Sequence, residues 1–225
     1  MNKILTNYNE ILKQIDFYKN KHKSKYINPE LIAVSKKFPK EKIQILIDAG
    51  HKVFGENKVQ EAHSKWVELK NENKTQNLKL HLIGPLQSNK VFQALEVFDV
   101  IQTLDREKIA LKAKNYFDEK KKSRDKVFFV QVNIGREPQK SGVDIDHAKQ
   151  FVEWCSMDLN LKISGLMCIP PLGAPSQTFF KKLRGLCDEL NLLHASMGMT
   201  SDFGSAIENG ATFIRVGTGI FGSRD

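Results

Sequence analysis

Cysteine is scarce in this chain: Cys155, Cys168 and Cys187 are the three in 225 residues. They form no CxxC pair and no cluster with histidine, which argues against a disulfide framework and a zinc centre. Their reading is as small buried apolar residues in a reducing compartment, and no metal ligand is assigned. No apolar run reaches the length of a membrane span, and residues 1–10 are polar, without the apolar stretch of a secretion signal. A cytoplasmic protein with no membrane partner is expected. There is also no linker, internal repeat or low-complexity tract, so residues 1–225 are read as a single domain, long enough to bury about 70% of its unfolded surface. Acidic residues are the minority: 26 against 35 lysines and arginines leave a net charge of +9. Much of the lysine falls at 19–25 and 120–126, in polar stretches without aromatic interleaving, zinc-finger spacing or an RNA-binding signature. These are solvated faces, and no nucleic-acid partner is expected.

What the chain does have is alternation. Apolar runs rich in β-branched and aromatic residues recur at 31–34, 52–54, 80–83, 97–102, 127–134, 161–169, 192–195 and 212–216. Between most of them, spacings such as Ile43, Leu46, Ile47 and Phe179, Leu183, Leu186, Leu190 mark amphipathic helices. Strand and helix in alternation imply parallel strands with right-handed crossovers, and eight such units predict an α/β fold of the closed (β/α)₈ TIM-barrel kind. A helical segment at 4–17 precedes the first strand, so residues 1–27 are expected to form an extra N-terminal helical extension packed on the barrel.

In such barrels, chemistry gathers where strands end. Two Gly/Ser/Thr turns stand out there: Ser196-Met-Gly-Met-Thr-Ser-Asp202 and Arg215-Val-Gly-Thr-Gly-Ile-Phe-Gly222. Gly217 and Gly219 are expected to adopt backbone angles closed to other residues and to bring main-chain N–H groups close to a ligand. Thr200, Ser201 and Thr218 add hydroxyls, Met199 a backbone amide, and a helix predicted over 200–209 the dipole of its N-terminus. The pair reads as a phosphate cradle. Lys36 follows the first apolar run, where partial desolvation would favour a nucleophilic amine able to form an imine with an aldehyde. Pyridoxal 5′-phosphate carries both an aldehyde and a phosphate. Arg215 ends the last run, where a strand-end salt bridge is an equal reading; an arginine facing the pyridine nitrogen would donate to it and, unable to surrender its own proton, keep that nitrogen unprotonated. Asn57 offers an amide for the ring hydroxyl or the imine neighbourhood, with Glu56 a charge partner for a nearby lysine or arginine. His81 reads as a packing residue as readily as a ligand, and His51, His63, His147 and His194 are assigned nothing.

Ala33-Val-Ser-Lys36, Phe54-Gly-Glu-Asn57 with Val59-Gln-Glu61, His81-Leu-Ile-Gly84 with Leu86-Gln-Ser-Asn-Lys90, Ile101-Gln-Thr-Leu-Asp-Arg106, Lys140-Ser-Gly142, Ser196-Met-Gly-Met199 and the Arg215 tract occur in order. Together they resemble the YggS/PROSC family of pyridoxal phosphate homeostasis proteins. The resemblance implies a barrel similar to the N-terminal domain of alanine racemase, with the cofactor as a Schiff base on Lys36. It also implies Arg215 at the pyridine nitrogen, Thr200, Gly217 and Thr218 at the phosphate, and Ser196 and Met199 nearby. Lys58 stands where the family usually has an aromatic residue, Thr200 replaces a more usual serine, and Pro85 follows Gly84 where histidine is also common.

Three functions follow: a non-catalytic carrier that stores the cofactor and delivers it to apoenzymes, a weak or specialised amino-acid racemase, and a barrel enzyme using Lys36 on a phosphorylated substrate. Racemases of this fold supply their second acid/base from another domain. This chain ends at Asp225 directly after the last barrel motif, so the carrier is the expectation, as a monomer and with no catalytic residue assigned. The third reading leaves Arg215 without a task.

Overall fold

Strand β1 (Glu30–Val34) is buried at every position after Glu30, which suits a strand covered on both faces. The computed structural model describes residues 2–21, 26, 28–121 and 123–223, and it repeats that pattern in β2 (Val53–Glu56) and β4 (Val100–Leu104). Between them lies β3 (Lys79–Leu82), followed by β5 (Val127–Asn133), β6 (Val143–Asp144), β7 (Lys162–Met167), β8 (His194–Met199) and β9 (Phe213–Val216). Every pairing is parallel. β1 sits between β2 and β9, and β4 pairs with β5, so eight strands close into a ring, with the short β6 alongside β5. Helices α2 (Lys40–Asp48), α3 (Val59–Glu72), α4 (Val91–Val97), α5 (Glu107–Lys120), α6 (Ala148–Met157), α7 (Ser176–Glu189) and α8 (Phe203–Glu208) cover the outside. This is the (β/α)₈ barrel the alternation predicts.

Successive residues of a strand point to opposite faces, so the barrel has two apolar cores. Ile32, Val53, Val100, Phe129, Met167 and Phe213 fill its interior. Their neighbours Ala33, Phe54, Ile101, Phe128 and Ile214 join the larger core under the helices.

Helix α1 (Lys3–Lys21) buries Ile4, Tyr8, Ile11 and Ile15, one stripe at helical spacing. It lies across α8 and α9 (Thr218–Phe221), with Asn7 Nδ2 donating to the Ile220 carbonyl at 3.1 Å. A Cβ on Gly204 would meet the Tyr18 ring at 2.4 Å, so the contact needs glycine. Of the extension expected at 1–27, residues 1, 22–25 and 27 lie outside the described residues. His51, to which no role fell, is buried between Tyr8 Oη at 3.3 Å and the Val53 carbonyl at 2.7 Å, and burial lowers its pKa to about 4.

Several boundaries differ from the sequence reading. Val97 completes the buried face of α4 instead of opening a strand, and β4 starts at Val100. Gly55 and Glu56 belong to β2, and β8 runs from His194 to Met199, so Ser196 is a strand residue. The helix predicted over 200–209 shortens to α8. Among the described residues no helix is long and apolar enough to cross a membrane, and no group of three or more His, Cys, Asp or Glu is placed to hold a metal.

Candidate functional site

At the mouth where the strands end lies a cavity of about 410 Å³, lined by Lys36, Asn57, Met199, Thr200, Arg215, Gly217 and Thr218, with Val34, Ile83, Ile169 and Ser201 between them. Six strands build it: Lys36 comes just after β1, Asn57 after β2, Ile83 after β3, Ile169 after β7, and Thr200 and Ser201 after β8, while Arg215 sits within β9. A second hollow of about 270 Å³ adjoins it and shares Asn57, Ile83 and Ile169.

The loop that carries Lys36 is clamped from behind. Its next residue, Lys37, has φ 65, a left-handed conformation unusual for a side-chain-bearing residue. Glu61 Oε1 accepts the Lys37 N–H, and Lys65 Nζ donates to the carbonyls of Ser35 at 2.9 Å and Phe38 at 3.1 Å. Lys65 also pairs at 2.8 Å with Glu56 Oε1. That fully buried oxygen accepts from Ser35 Oγ at 2.6 Å and Trp66 Nε1 at 3.1 Å as well. Burial pushes the Glu56 carboxyl up, opposed by Lys65 and by the bonds from Ser35 and Trp66. Glu56 thus has the lysine partner expected of it, behind the cavity wall.

Arg215 is 4% exposed, and no carboxylate lies within ion-pair distance of it among the described residues. Its Nη1 donates to Ser196 Oγ at 2.7 Å and its Nη2 to the Cys168 carbonyl at 2.8 Å. Burial lowers its pKa, partly offset by Cys168 and Asp202. A guanidinium has five N–H donors. A buried cation that lines a cavity with only neutral acceptors leaves donor capacity for a ligand.

Ser196 does not line the cavity but supports Arg215, accepting from the guanidinium and donating to Gln102 Oε1 at 2.7 Å. Met199 lines the cavity, but its amide donates to Asp202 Oδ1 at 2.7 Å, so the amide expected to face a phosphate is engaged. The glycine argument also changes. Gly217 has φ −114, open to any residue; what favours glycine is space, since a Cβ there would sit 3.3 Å from Val34 Cβ. At Gly219 it would sit 3.0 Å from both Thr200 and Val216 side chains. The Thr200 and Thr218 hydroxyls are 3.4 Å apart. Between them and the first amides of α9, which have no acceptor within the helix, the cradle has its donors.

Glu61 and Gln102 fall within motifs quoted from the sequence but were assigned no role, and Lys65 was not singled out. Gln102 had a signal, a polar residue within an apolar strand run. Lys65 had a weaker one, its i+4 spacing from Glu61 on α3. His81, buried in the barrel with its Nδ1 2.8 Å from Gln102 Nε2, lies away from this cavity.

Residues 7–225 match the family described as alanine racemase, N-terminal domain. A pyridoxal phosphate homeostasis protein of Aquifex aeolicus (strain VF5) is 41% identical over 209 residues, spanning 87% of each chain. One of Vibrio alginolyticus is 35% identical over 233 residues, spanning 100% of this chain and 99% of its own. Among solved structures, PipY of Synechococcus elongatus PCC7942, a COG0325 family member described with PLP bound, is 35% identical with a TM-score of 0.78. That similarity covers 92% of this chain and 100% of PipY.

Proposed function

This chain belongs to the pyridoxal phosphate homeostasis proteins, a family within the alanine racemase N-terminal-domain fold, and from that membership we propose that it binds pyridoxal 5′-phosphate and keeps it for delivery to other proteins. The observation that carries the reading is Arg215: a buried guanidinium without a carboxylate, in one cavity with a lysine and a Gly/Thr cradle. That donor set fits the group. When bound, the cofactor supplies an aldehyde that a primary amine can capture and a ring nitrogen that can accept a hydrogen bond.

Lys36 is the amine that holds the cofactor covalently. Thr200, Thr218 and the Gly217 turn hold the phosphate through hydroxyls and main-chain N–H groups. Arg215 would donate to the ring nitrogen and, because it keeps its own proton, would leave that nitrogen unprotonated. Asn57 lines the same cavity and would serve the ring hydroxyl or the imine neighbourhood, and Met199 lines it as well. Ser196 positions Arg215 from below.

The carrier reading, in which the chain acts as a monomer and presents the cofactor to apoenzymes, is supported by what stands around Lys36. Two-base chemistry at a substrate carbon needs a proton donor on each face. Among the described residues, Lys36 and Arg215 are the ionisable groups lining the cavity. The tyrosines are engaged elsewhere: Tyr8 at His51, Tyr18 against Phe203, Tyr26 at Asp188 and Tyr116 against Phe92. The test is to mix the loaded protein with a cofactor-depleted pyridoxal phosphate enzyme. Restored activity, without efficient racemase, decarboxylase or transaminase turnover by the loaded protein itself, is the expected result. Robust turnover of one amino acid, lost in Lys36→Ala, would replace the carrier with an enzyme.

A further inference from the structure

The opposite end of the barrel holds another cavity, of about 580 Å³, where the strands begin. Its floor is aromatic. The Phe213 ring centroid lies 5.1 Å from His194, 5.4 Å from His81 and 5.7 Å from Phe129. Lys79 and Lys162, which open β3 and β7, stand on its rim and make no ion pair among the described residues. Rim acids offset part of this charge. Asp99 is held by Lys70 at 2.7 Å and by the Leu80 N–H at 2.8 Å, burial pushes the Glu30 carboxyl up, and Asp125 remains exposed.

A chain of hydrogen bonds through the barrel interior fixes what the floor presents. Arg215 can only donate, so Ser196 Oγ accepts from it and turns its own hydrogen to Gln102 Oε1. Gln102 then has its NH₂ toward His81 Nδ1 at 2.8 Å. Burial lowers the His81 pKa to about 3, so the ring is neutral and carries one hydrogen. With Nδ1 the acceptor, that hydrogen is on Nε2, which has no partner among the described residues. The described buried side-chain atoms that are both sealed and unpaired are Glu56 Oε2 and Glu137 Oε2, so the Nε2 edge of His81 opens onto the cavity that His81 lines.

We propose that this cavity is a binding site for a small planar organic carboxylate. Its carboxylate accepts from His81 Nε2–H and faces Lys79 and Lys162, and its flat body lies against Phe129, Phe213 and His194. The site needs no cofactor, so it stands or falls separately from the reading of Lys36.

The probe is benzoate, titrated into the cofactor-free full chain while the histidine ring ¹⁵N resonances are followed. Expected are an Nε2–H tautomer for His81, a saturable shift of its resonances, and binding at least about tenfold weaker in Lys79→Glu/Lys162→Glu, where two attractions become repulsions. Those lysines are exposed, and an unchanged circular dichroism spectrum certifies the variant's fold. No saturable shift, or equal affinity in wild type and variant, overturns the site. If inorganic phosphate shifts His81 as readily as benzoate does, the planar ligand class is overturned.

Discussion

Lys65→Met tests the clamp behind Lys36. The substitution keeps most of the apolar stem but removes the ammonium that sits 2.8 Å from Glu56 Oε1 and donates to Ser35 and Phe38. Breaking a buried ion pair from one side costs about 3–5 kcal/mol. Lys65 keeps 12% side-chain exposure while Glu56 has none, so about 2–4 kcal/mol is expected after screening. The loss should depend on pH. Burial already holds the Glu56 carboxyl above its ordinary range, with Lys65 the largest opposing influence, and removing the cation raises it further. A carboxyl whose folded pKa lies above its unfolded one favours the fold at low pH, and that advantage is lost as pH rises through the folded value. Urea unfolding should therefore show a smaller deficit near pH 5 than near pH 8. A loss below about 1 kcal/mol at both, or a larger loss at the lower pH, would refute the clamp.

Arg215→Glu should change the visible spectrum of the loaded protein and weaken retention, because a carboxylate at the ring nitrogen favours its protonation; an unchanged spectrum and affinity would mean Arg215 acts elsewhere. Gly84→Ala would place a Cβ 2.3 Å from the Asn57 carbonyl oxygen, so thermal unfolding should reveal a loss of about 1–3 kcal/mol, and wild-type stability would refute the tight approach. His51, with a pKa near 4 from burial, contributes stability that is complete above its unfolded pKa of about 6.5 and declines as pH falls toward the folded value, roughly 3 kcal/mol in all. His51→Phe should flatten that part of the acid-unfolding profile, and an unchanged slope would contradict it.

The barrel was legible because its signal is long: apolar runs alternating with amphipathic helices leave few other topologies. Boundaries were less so, as at Val97, where an apolar residue serves the end of α4 as well as it would serve a strand. Lys36, Asn57, Thr200, Arg215, Gly217 and Thr218 announced themselves as special chemistry at strand ends, and the structure brings them around one cavity. The support Ser196 gives Arg215 was not legible, because polarity at a strand end looks the same whether it faces a ligand or holds a side chain that does. The Lys65 clamp and the Gln102 link stayed hidden because they join residues that are distant in sequence, as in Ser196 to Gln102, 94 positions apart.

The most direct test of the central claim is hydride reduction of the loaded protein followed by peptide mapping. The account predicts one covalent adduct, on the peptide bearing Lys36, absent from Lys36→Ala together with the visible band of the lysine-linked cofactor. An adduct on Lys37 or Lys65, or a band that survives in Lys36→Ala, would contradict it.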